Sequence, residues 1–353
     1  MKRNILLIIL LFFTLAFPQS KHKKKDKVTF SGKAEIGVDF RAADELSGRI
    51  INDSRLNQTG AIETELKIFP ADSVELEFDL EFDHRFTDLN LKKLFVRYNF
   101  DNSNARFGFM EKMFSLEEIK RENLFIKKSM LHNILEDFYL LSRDFTIQYR
   151  YNFPSNTLIG GFAADGSART FVNLTLLNEH YEKTRFVIAG MYENYAEKNR
   201  KFGERESAFF ANFGVEFSSR ITGFELEGIW GKNVEKYGFI TNTSTPSLGY
   251  LPYNERENIG FWGLRFQESF PIEVQWKHLK KITPLYEVSY FNDSFTVKNA
   301  YWQARSGMNL SLAEKDRLQW RTNWDMIMTV NNQESSSLQI ISQRVLTAFV
   351  VTW

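Results

Sequence analysis

From Val28 onward, apolar and polar residues alternate with a period of two. The clearest run is Val74, Leu76, Phe78, Leu80 and Phe82, interleaved with Glu75, Glu77, Asp79, Glu81 and Asp83. A β-strand sends such sets to opposite faces, whereas a helix would scatter both around its circumference. Just upstream, Ile62, Thr64, Leu66 and Ile68 alternate with Glu63, Glu65 and Lys67, and Pro70 to Ser73 supplies the intervening turn. The pattern recurs at Leu94–Phe100, Phe145–Phe153, Phe209–Phe217, Phe224–Trp230, Trp262–Phe266, Ile272–Trp276, Tyr286–Tyr290, Leu318–Trp324 and Val345–Trp353.

Hairpins with an apolar face along the whole chain, and no helical crossovers, predict one closed antiparallel sheet. Closure pairs every strand edge, which a lipid environment demands. Many apolar runs begin or end in Phe, Tyr or Trp, as the two aromatic girdles of a membrane barrel require. The expected fold is therefore all-β, a transmembrane antiparallel β-barrel of about 16 strands, with 14 or 18 also fitting the spacing. A large soluble β-sandwich or β-helix would alternate too, but its outward face needs no charge row as regular as Glu75 to Asp83.

The longest break in the alternation runs from Met110 to Arg143. Ser115 followed by Leu116, Glu117 and Glu118 has the form of a helix cap with a capping-box carboxylate. Ile119, Leu124 and Leu131 to Leu135 would give short amphipathic turns. A hairpin does not need so long a connection. In a barrel wide enough for a pore, its natural place is folded into the lumen, where it narrows the passage. An extracellular cap that leaves the lumen open is the other placement. Ala42–Gly60, Gly231–Glu257 and Asn331–Ser337 read as extracellular loops, whereas the turns at Asp72–Ser73, Asn102–Asn104 and Ser218–Ser219 are short, as periplasmic turns are.

The N-terminus sets the compartment. Lys2 and Arg3 precede Ile5–Phe17, apolar apart from Thr14, and then Pro18, Gln19 and Ser20. This is the layout of a signal peptide over residues 1–20, with an apolar core too short for a comfortable transmembrane helix. Residues 21–27, KHKKKDK, form a basic periplasmic stub, and 28–353 are expected to form a single barrel domain with 110–143 as its constriction loop. Loss of Lys2 and Arg3 takes the formal charge from +1 to −1, so no global charge points to nucleic acid. With no cysteine, disulfides and thiolate chemistry are excluded. No long apolar run follows residue 17, which excludes helical membrane spans.

Within such a barrel, Glu63, Glu65, Glu75, Glu77, Asp79 and Glu81 are expected to face the lumen, making that side of the pore acidic and attractive to cations. Arg97, Arg106 and Arg150 are expected there too, with Lys298, Arg305, Arg321 and Arg344 as further basic groups that could stand opposite. The constriction candidates are Glu111, Lys112, Glu117, Glu118, Lys120 and Arg121, with Lys127 and Lys128 behind them. Mixed charges at one level would make size and dipole the filter rather than net charge. The five histidines, His22, His84, His132, His180 and His278, are scattered without metal spacing. Nothing marks a catalytic triad or a glycine-rich phosphate loop, so no catalytic residue, metal or cofactor is expected.

At Arg106 to Glu118 the sequence resembles the phosphate-selective porin O/P family of Gram-negative bacteria. Gly108, Phe109 and Lys112 stand for the family's "Gly-Gln-Phe-Lys", and Phe114, Ser115, Leu116, Glu117 and Glu118 for its "Pro-Phe-Gly/Ser-Leu-Glu-Glu". The resemblance is sharp over roughly 40 residues and architectural elsewhere. Met113 replaces the usual proline, and the family's arginine and lysine ladder is not evident, so phosphate selectivity is not carried over. The resemblance implies a constriction loop after the motif and a C-terminal signal for the barrel-insertion machinery, here Phe349, Val351 and Trp353. It also makes a homotrimer compatible with the chain. The expected function is passive diffusion of small hydrophilic solutes or ions across the bacterial outer membrane, with membrane lipid, lipopolysaccharide and the barrel-assembly machinery as partners. The alternative is a structural, adhesive or cell-wall-binding barrel with a plugged lumen.

Overall fold

The computed structural model describes residues 28–44, 55–83, 89–119, 124–137, 141, 143–164, 170–181, 184–196, 205–234, 259–293, 299–313, 316–331 and 338–353. The expected signal peptide, residues 1–20, and the expected basic stub, residues 21–27, lie outside these residues. The strands are β1 (Val28–Asp44), β2 (Arg55–Ala71), β3 (Val74–Asp83), β4 (Leu89–Asn99), β5 (Ser103–Glu111), β6 (Arg143–Asn152), β7 (Asn156–Ala164), β8 (Thr170–Tyr181), β9 (Thr184–Ala196), β10 (Arg205–Ser218), β11 (Gly223–Val234), β12 (Ile259–Ser269), β13 (Ile272–Trp276), β14 (Leu279–Asp293), β15 (Asn299–Ser311), β16 (Leu318–Asn331) and β17 (Leu338–Thr352). Apart from β12 and β13, each pairs antiparallel with its sequence neighbours, and β1 pairs with β17 to close the sheet. β12 and β13 both pair with β14 and form one interrupted stave. The break falls at Phe270–Pro271, where proline has no N–H to offer a ladder. The barrel therefore has sixteen staves, the expected number.

Closure is direct. Ile36 stands opposite Phe349, and Gly32 and Trp353 exchange both backbone hydrogen bonds at 3.1 Å. The alternation then sorts the two faces. Outward go Phe107, Ile147, Leu174, Ile188, Phe213, Leu264 and Val288, all about half exposed, together with Phe349, Val351 and Trp353. A surface this apolar is stable only against hydrocarbon.

Aromatic rings collect at two levels of that surface. Trp262, Tyr290 and Trp302 are in contact near one end, with centroids 4.7 and 4.6 Å apart. Tyr98–Phe100, Tyr151–Phe153, Phe217–Phe224 and Trp320–Phe349 gather near the other. Along β12, Trp262 to Phe270 is roughly 26 Å of strand, which a tilt of about 40° reduces to about 20 Å, close to the apolar band of membrane barrels.

The strands continue past this band, which shortens the connections expected from apolar pattern alone. β1 runs to Asp44 and β2 starts at Arg55, inside the expected Ala42–Gly60 loop. β11 runs to Val234, inside Gly231–Glu257. Met110, Glu111 and Arg143 likewise belong to strands rather than to the long loop. Ladder hydrogen bonds need no apolar side chains, so pairing persists where the outer face turns polar.

Two local irregularities shape the interior. The β3–β4 register shifts between Asp79 and Leu80, leaving Lys92 as the extra residue. A strict alternation cannot keep both Lys92 and Lys93 out of lipid. The bulge brings the Lys92 ammonium to Glu63 and Glu81 inside. In β5, Gly108 has φ +144°, and a Cβ there would lie 2.3 Å from the Leu94 carbonyl oxygen. Only glycine bends the strand this way. Gly108→Ala should destabilise the refolded barrel by about 1–3 kcal/mol, read as a lower urea midpoint for unfolding, and an unchanged midpoint would refute the assigned strain.

Candidate functional site

The chain leaves β5 at Glu111, turns into the barrel and returns at β6. Two short helices form on the way, α1 (Leu116–Ile119) and α2 (Met130–Asp137). The Ile119 N–H donates to the Ser115 carbonyl at 3.2 Å, so α1 begins where the sequence places its cap. Ser129 caps α2, its hydroxyl accepting from the His132 N–H at 3.0 Å. The two starts are tied together: Glu117 accepts from the Ser129 N–H at 3.1 Å and from its hydroxyl at 2.6 Å.

A buried loop must find partners for its own backbone, and here the wall side chains provide them. The N–H groups of Leu116, Ile126 and Met130 donate at 2.7 Å to Glu227 of β11, Asn323 of β16 and Gln303 of β15. The carbonyl of Met113 accepts from Thr175 of β8 at 2.7 Å. Those of Leu124 and Lys127 accept from Asn309 at 2.9 Å and Arg305 at 2.7 Å, both on β15. Between Gln303 and Asn309 the loop follows β15 for about 20 Å, most of the way toward the short-turn end.

Its apolar side chains fill the space between. Phe114, Leu116, Phe125, Met130, Leu131 and Leu135 are almost wholly buried, most of them against inward residues such as Phe171, Val187, Met191, Phe210, Phe261 and Phe291. The wall yields room at Gly214, where a Cβ would stand 2.7 Å from that of Leu116. The loop therefore packs against β7–β12 and β14–β16 as a protein core does.

Under α1 lies a buried cluster of charge. The Arg265 guanidinium (1% exposed) reaches Glu225 at 2.9 Å, Glu287 at 3.2 Å, Glu227 at 3.4 Å and Glu117 at 3.9 Å. Arg305 also binds Glu287, at 2.9 Å from Nε, and lies over the Phe125 ring at 4.1 Å. Burial pushes the Glu117 carboxyl up, but Arg265, His132, Arg305 and the Ser129 bond outweigh it and hold the group well below the usual carboxylate range. Burial pushes the His132 imidazole down to about 3, against the pull of Glu117, with the Lys128 and Arg265 charges adding to the depression. Lys128 Nζ lies 2.6 Å from His132 Nε2.

The facing half of the interior is different. On β1–β4 several inward charges keep access to water: Glu63 is 39% exposed, Lys33 34%, Lys67 30% and Lys93 29%, whereas Glu35, Asp39, Glu75 and Glu77 are buried. Nearly all are paired. Glu75 binds Arg97 at 2.8 Å, Glu65 binds Lys67 at 3.0 Å, and Glu77 lies 3.7 Å from both Lys67 and Arg97. The carboxylate row is thus a neutralised lattice rather than an acidic wall, because the register sets Lys67 and Arg97 beside it and the bulge adds Lys92. Asp79 shares this face opposite Lys93. Arg106 stands directly opposite Arg97, both near the Phe95 ring, and Arg150 follows on β6.

The constriction candidates divide. Glu111 is on the wall, bonded to Arg143 at 3.1 Å. Lys112 is fully buried against Asp144 and over the Phe171 ring at 4.1 Å. Glu117 is an anchor in the packing between loop and wall. The Glu118 side chain, Lys120, Arg121 and Lys298 lie outside the described residues. Lys127 and Lys128 are the exposed charges of the described loop, and Lys128 acts electrostatically on Glu63 across the interior. Arg305 and Arg321 are sealed beneath the loop, and Arg344 is bonded to Asp325. The sequence reading missed Arg265, Glu225, Glu227 and Glu287. Their inward parity was available from Trp262, Leu264 and Phe266, but not the path of the loop that covers them.

Similar folds occur among bacterial outer-membrane proteins. The outer membrane channel DcaP of Acinetobacter baumannii superposes with a TM-score of 0.67 at 12% identity, over 94% of this chain and 99% of the other. An anion-selective porin from Comamonas acidovorans gives 0.64 at 11%, over 92% and 99%. The trimer form of OmpT, an outer membrane protein of Vibrio cholerae, gives 0.59 at 12%, over 92% and 99%. No family model and no curated protein matches the sequence. The fold is that of the porins of bacterial outer membranes.

Arg265→Met should remove the guanidinium that contacts all four carboxylates and cost about 3–5 kcal/mol. Limited proteolysis between Met113 and Leu135 should then become fast, and an unchanged digest would refute the anchoring role. Acid should act in the same direction. His132, neutral in the barrel but protonated below 6.5 when unfolded, contributes fully above pH 6.5 and loses its contribution as pH falls toward 3. Glu117, held low, contributes fully above 4.5 and loses its contribution below it. The urea midpoint should therefore fall from pH 7 to pH 4, and His132→Asn should flatten the part between 6.5 and 4.5.

Proposed function

We propose that the chain is a porin-like channel of the bacterial outer membrane, through which small hydrophilic solutes or ions diffuse passively. One observation carries the reading: the interior is divided into a sealed half and a wetted half. Arg265, Glu287 and Arg305 beneath the loop are at most 2% exposed at their side chains. Across from it on β1 and β2, Lys33, Glu63, Glu65 and Lys67 are about one-third exposed at their side chains, while Glu35, Asp39, Glu75 and Glu77 of β1 and β3 are buried. Buried charge needs paired and bonded surroundings, whereas partly exposed charges such as Glu63 and Lys33 belong beside water. The passage on this reading lies between Lys127 and Lys128 of the loop and the inner face of β1–β5.

The wall lattice is close to neutral, which makes size and dipole the filter, and Lys127 and Lys128 are the exposed cations that the described loop presents to it. Opposite-sign groups across a narrow lumen orient dipolar solutes and slow apolar ones. The Gly108–Glu118 stretch supports kinship with the O/P porins at the level of an inward loop, without their phosphate selectivity. The trimer form of the Vibrio protein supports a homotrimer here as well.

The large apolar packing of the loop favours a second reading, a plugged structural barrel. Planar-bilayer recordings separate the two. The intact refolded chain should give steady ohmic steps, and deletion of residues 116–135 should enlarge them. Channels only in the shortened form would establish the plug, and silence in both would refute conduction. Changing Lys127 and Lys128 to Glu should move the reversal potential under a salt gradient toward cation preference, and no movement would exclude these lysines from the passage.

A further inference from the structure

The pairing of β12 with β11 ends at Gly223 opposite Ser269, yet the chain continues through Phe270 and Pro271 into β13. β13 pairs only with β14, Ile272 opposite Ile282 and Trp276 opposite Leu279, and the β14–β15 ladder stops at Lys281. Residues 274–280 thus project beyond both neighbouring staves as a two-stranded hairpin at the short-turn end. Ile272, 52% exposed, continues the parity of the lipid-facing side, and the register shift between Glu273 and Trp276 sets Trp276, 66% exposed, opposite Leu279 at the tip. The tip carries exposed Lys277, His278 and Lys280, against the single exposed acid Glu273. Arg220 and Ile221 of the adjoining β10–β11 turn are exposed beside its base.

Distance decides what this hairpin meets. Phe270 and Tyr286, with centroids 6.3 Å apart, sit in the aromatic level near this end. Trp276 is about 20 Å of strand further on, or about 14 Å along the barrel axis at the usual tilt. The headgroup layer beyond the hydrocarbon is only about 6 Å deep on each side. The tip therefore stands past the lipid, in water, where an exposed indole among cations has no folding purpose.

The projecting segment, residues 274–280, is also far smaller than the roughly 20–30 residues a side of a specific protein interface. A weak site suffices when the ligand is a repeating polymer held by many barrels at once. We infer that the β13–β14 hairpin docks an anionic glycan, the cell-wall polymer facing the periplasmic end, with Trp276 stacking on a sugar face and Lys277 and Lys280 pairing with carboxylates. The inference rests on the short turns facing the periplasm, and it holds whether or not the lumen conducts.

The test is co-sedimentation of the refolded barrel in detergent with purified insoluble cell-wall sacculi. Wild type should be retained, and retention should fall at least about tenfold in Trp276→Ala and in Lys277→Gln with Lys280→Gln. Bilayer conductance and heat-modifiable migration of the variants report that they are folded, separately from binding. Sacculi with amidated carboxyls should release the wild type. Equal retention of wild type and variants, or of native and amidated sacculi, would overturn the proposal. Loss of binding to phosphatidylglycerol vesicles in the same variants, with sacculus binding intact, would overturn it in favour of lipid.

Discussion

A strand edge in hydrocarbon has nothing to bond to, and each unmet N–H or C=O costs several kcal/mol. The sixteen staves satisfy that requirement by returning β17 to β1, with Gly32 and Trp353 completing the seam. Closure creates an interior that lipid cannot reach. Once the outer face is committed to Phe, Leu, Ile and Trp, the pleat sends every alternate residue inward. The polar half of the sequence is thereby concentrated inside, where its charges must pair or stay wet.

The interior uses both options. Beneath the loop, Arg265 and Arg305 are held by four carboxylates with little water, a geometry that fixes position more than it adds stability. Along β1–β4, the same residue types form a looser lattice in contact with solvent. The difference arises from where one segment lies, since the buried residues of α1 and α2 pack against one wall rather than the other. That segment is held through its own main chain, with its N–H and C=O groups bonded to Glu227, Asn323, Gln303, Thr175, Asn309 and Arg305.

Much of the barrel was legible in the sequence because a period of two leaves little freedom. Val74–Asp83 can be a strand with one greasy and one charged face and little else. The inward loop was legible from its length and from Ser115. Strand ends were not, because pairing outlasts the apolar pattern, as at Asp44 and Val234. Lys92 was not, because a bulge breaks the parity on which the reading depended. The acidic appearance of Glu63 to Glu81 misled for the same reason: cross-strand partners such as Lys67 and Arg97 are set by register, which alternation leaves open. The Arg265 cluster joins residues from four separate strands and a loop, a convergence that no local pattern carries.

The loop's fastening constrains how the molecule can be made. Leu116 is bonded 111 residues downstream, Leu124 185 and Ile126 197, so almost every anchor is synthesised and paired after the segment it secures. Contacts of such separation fold slowly. A finished cylinder would have to admit Phe114 through Leu135 past its own rim and desolvate them one by one. The more economical order is that later staves wrap around the segment as they pair, which makes it a mandrel for β8–β16 and leaves the β17–β1 seam as the final step.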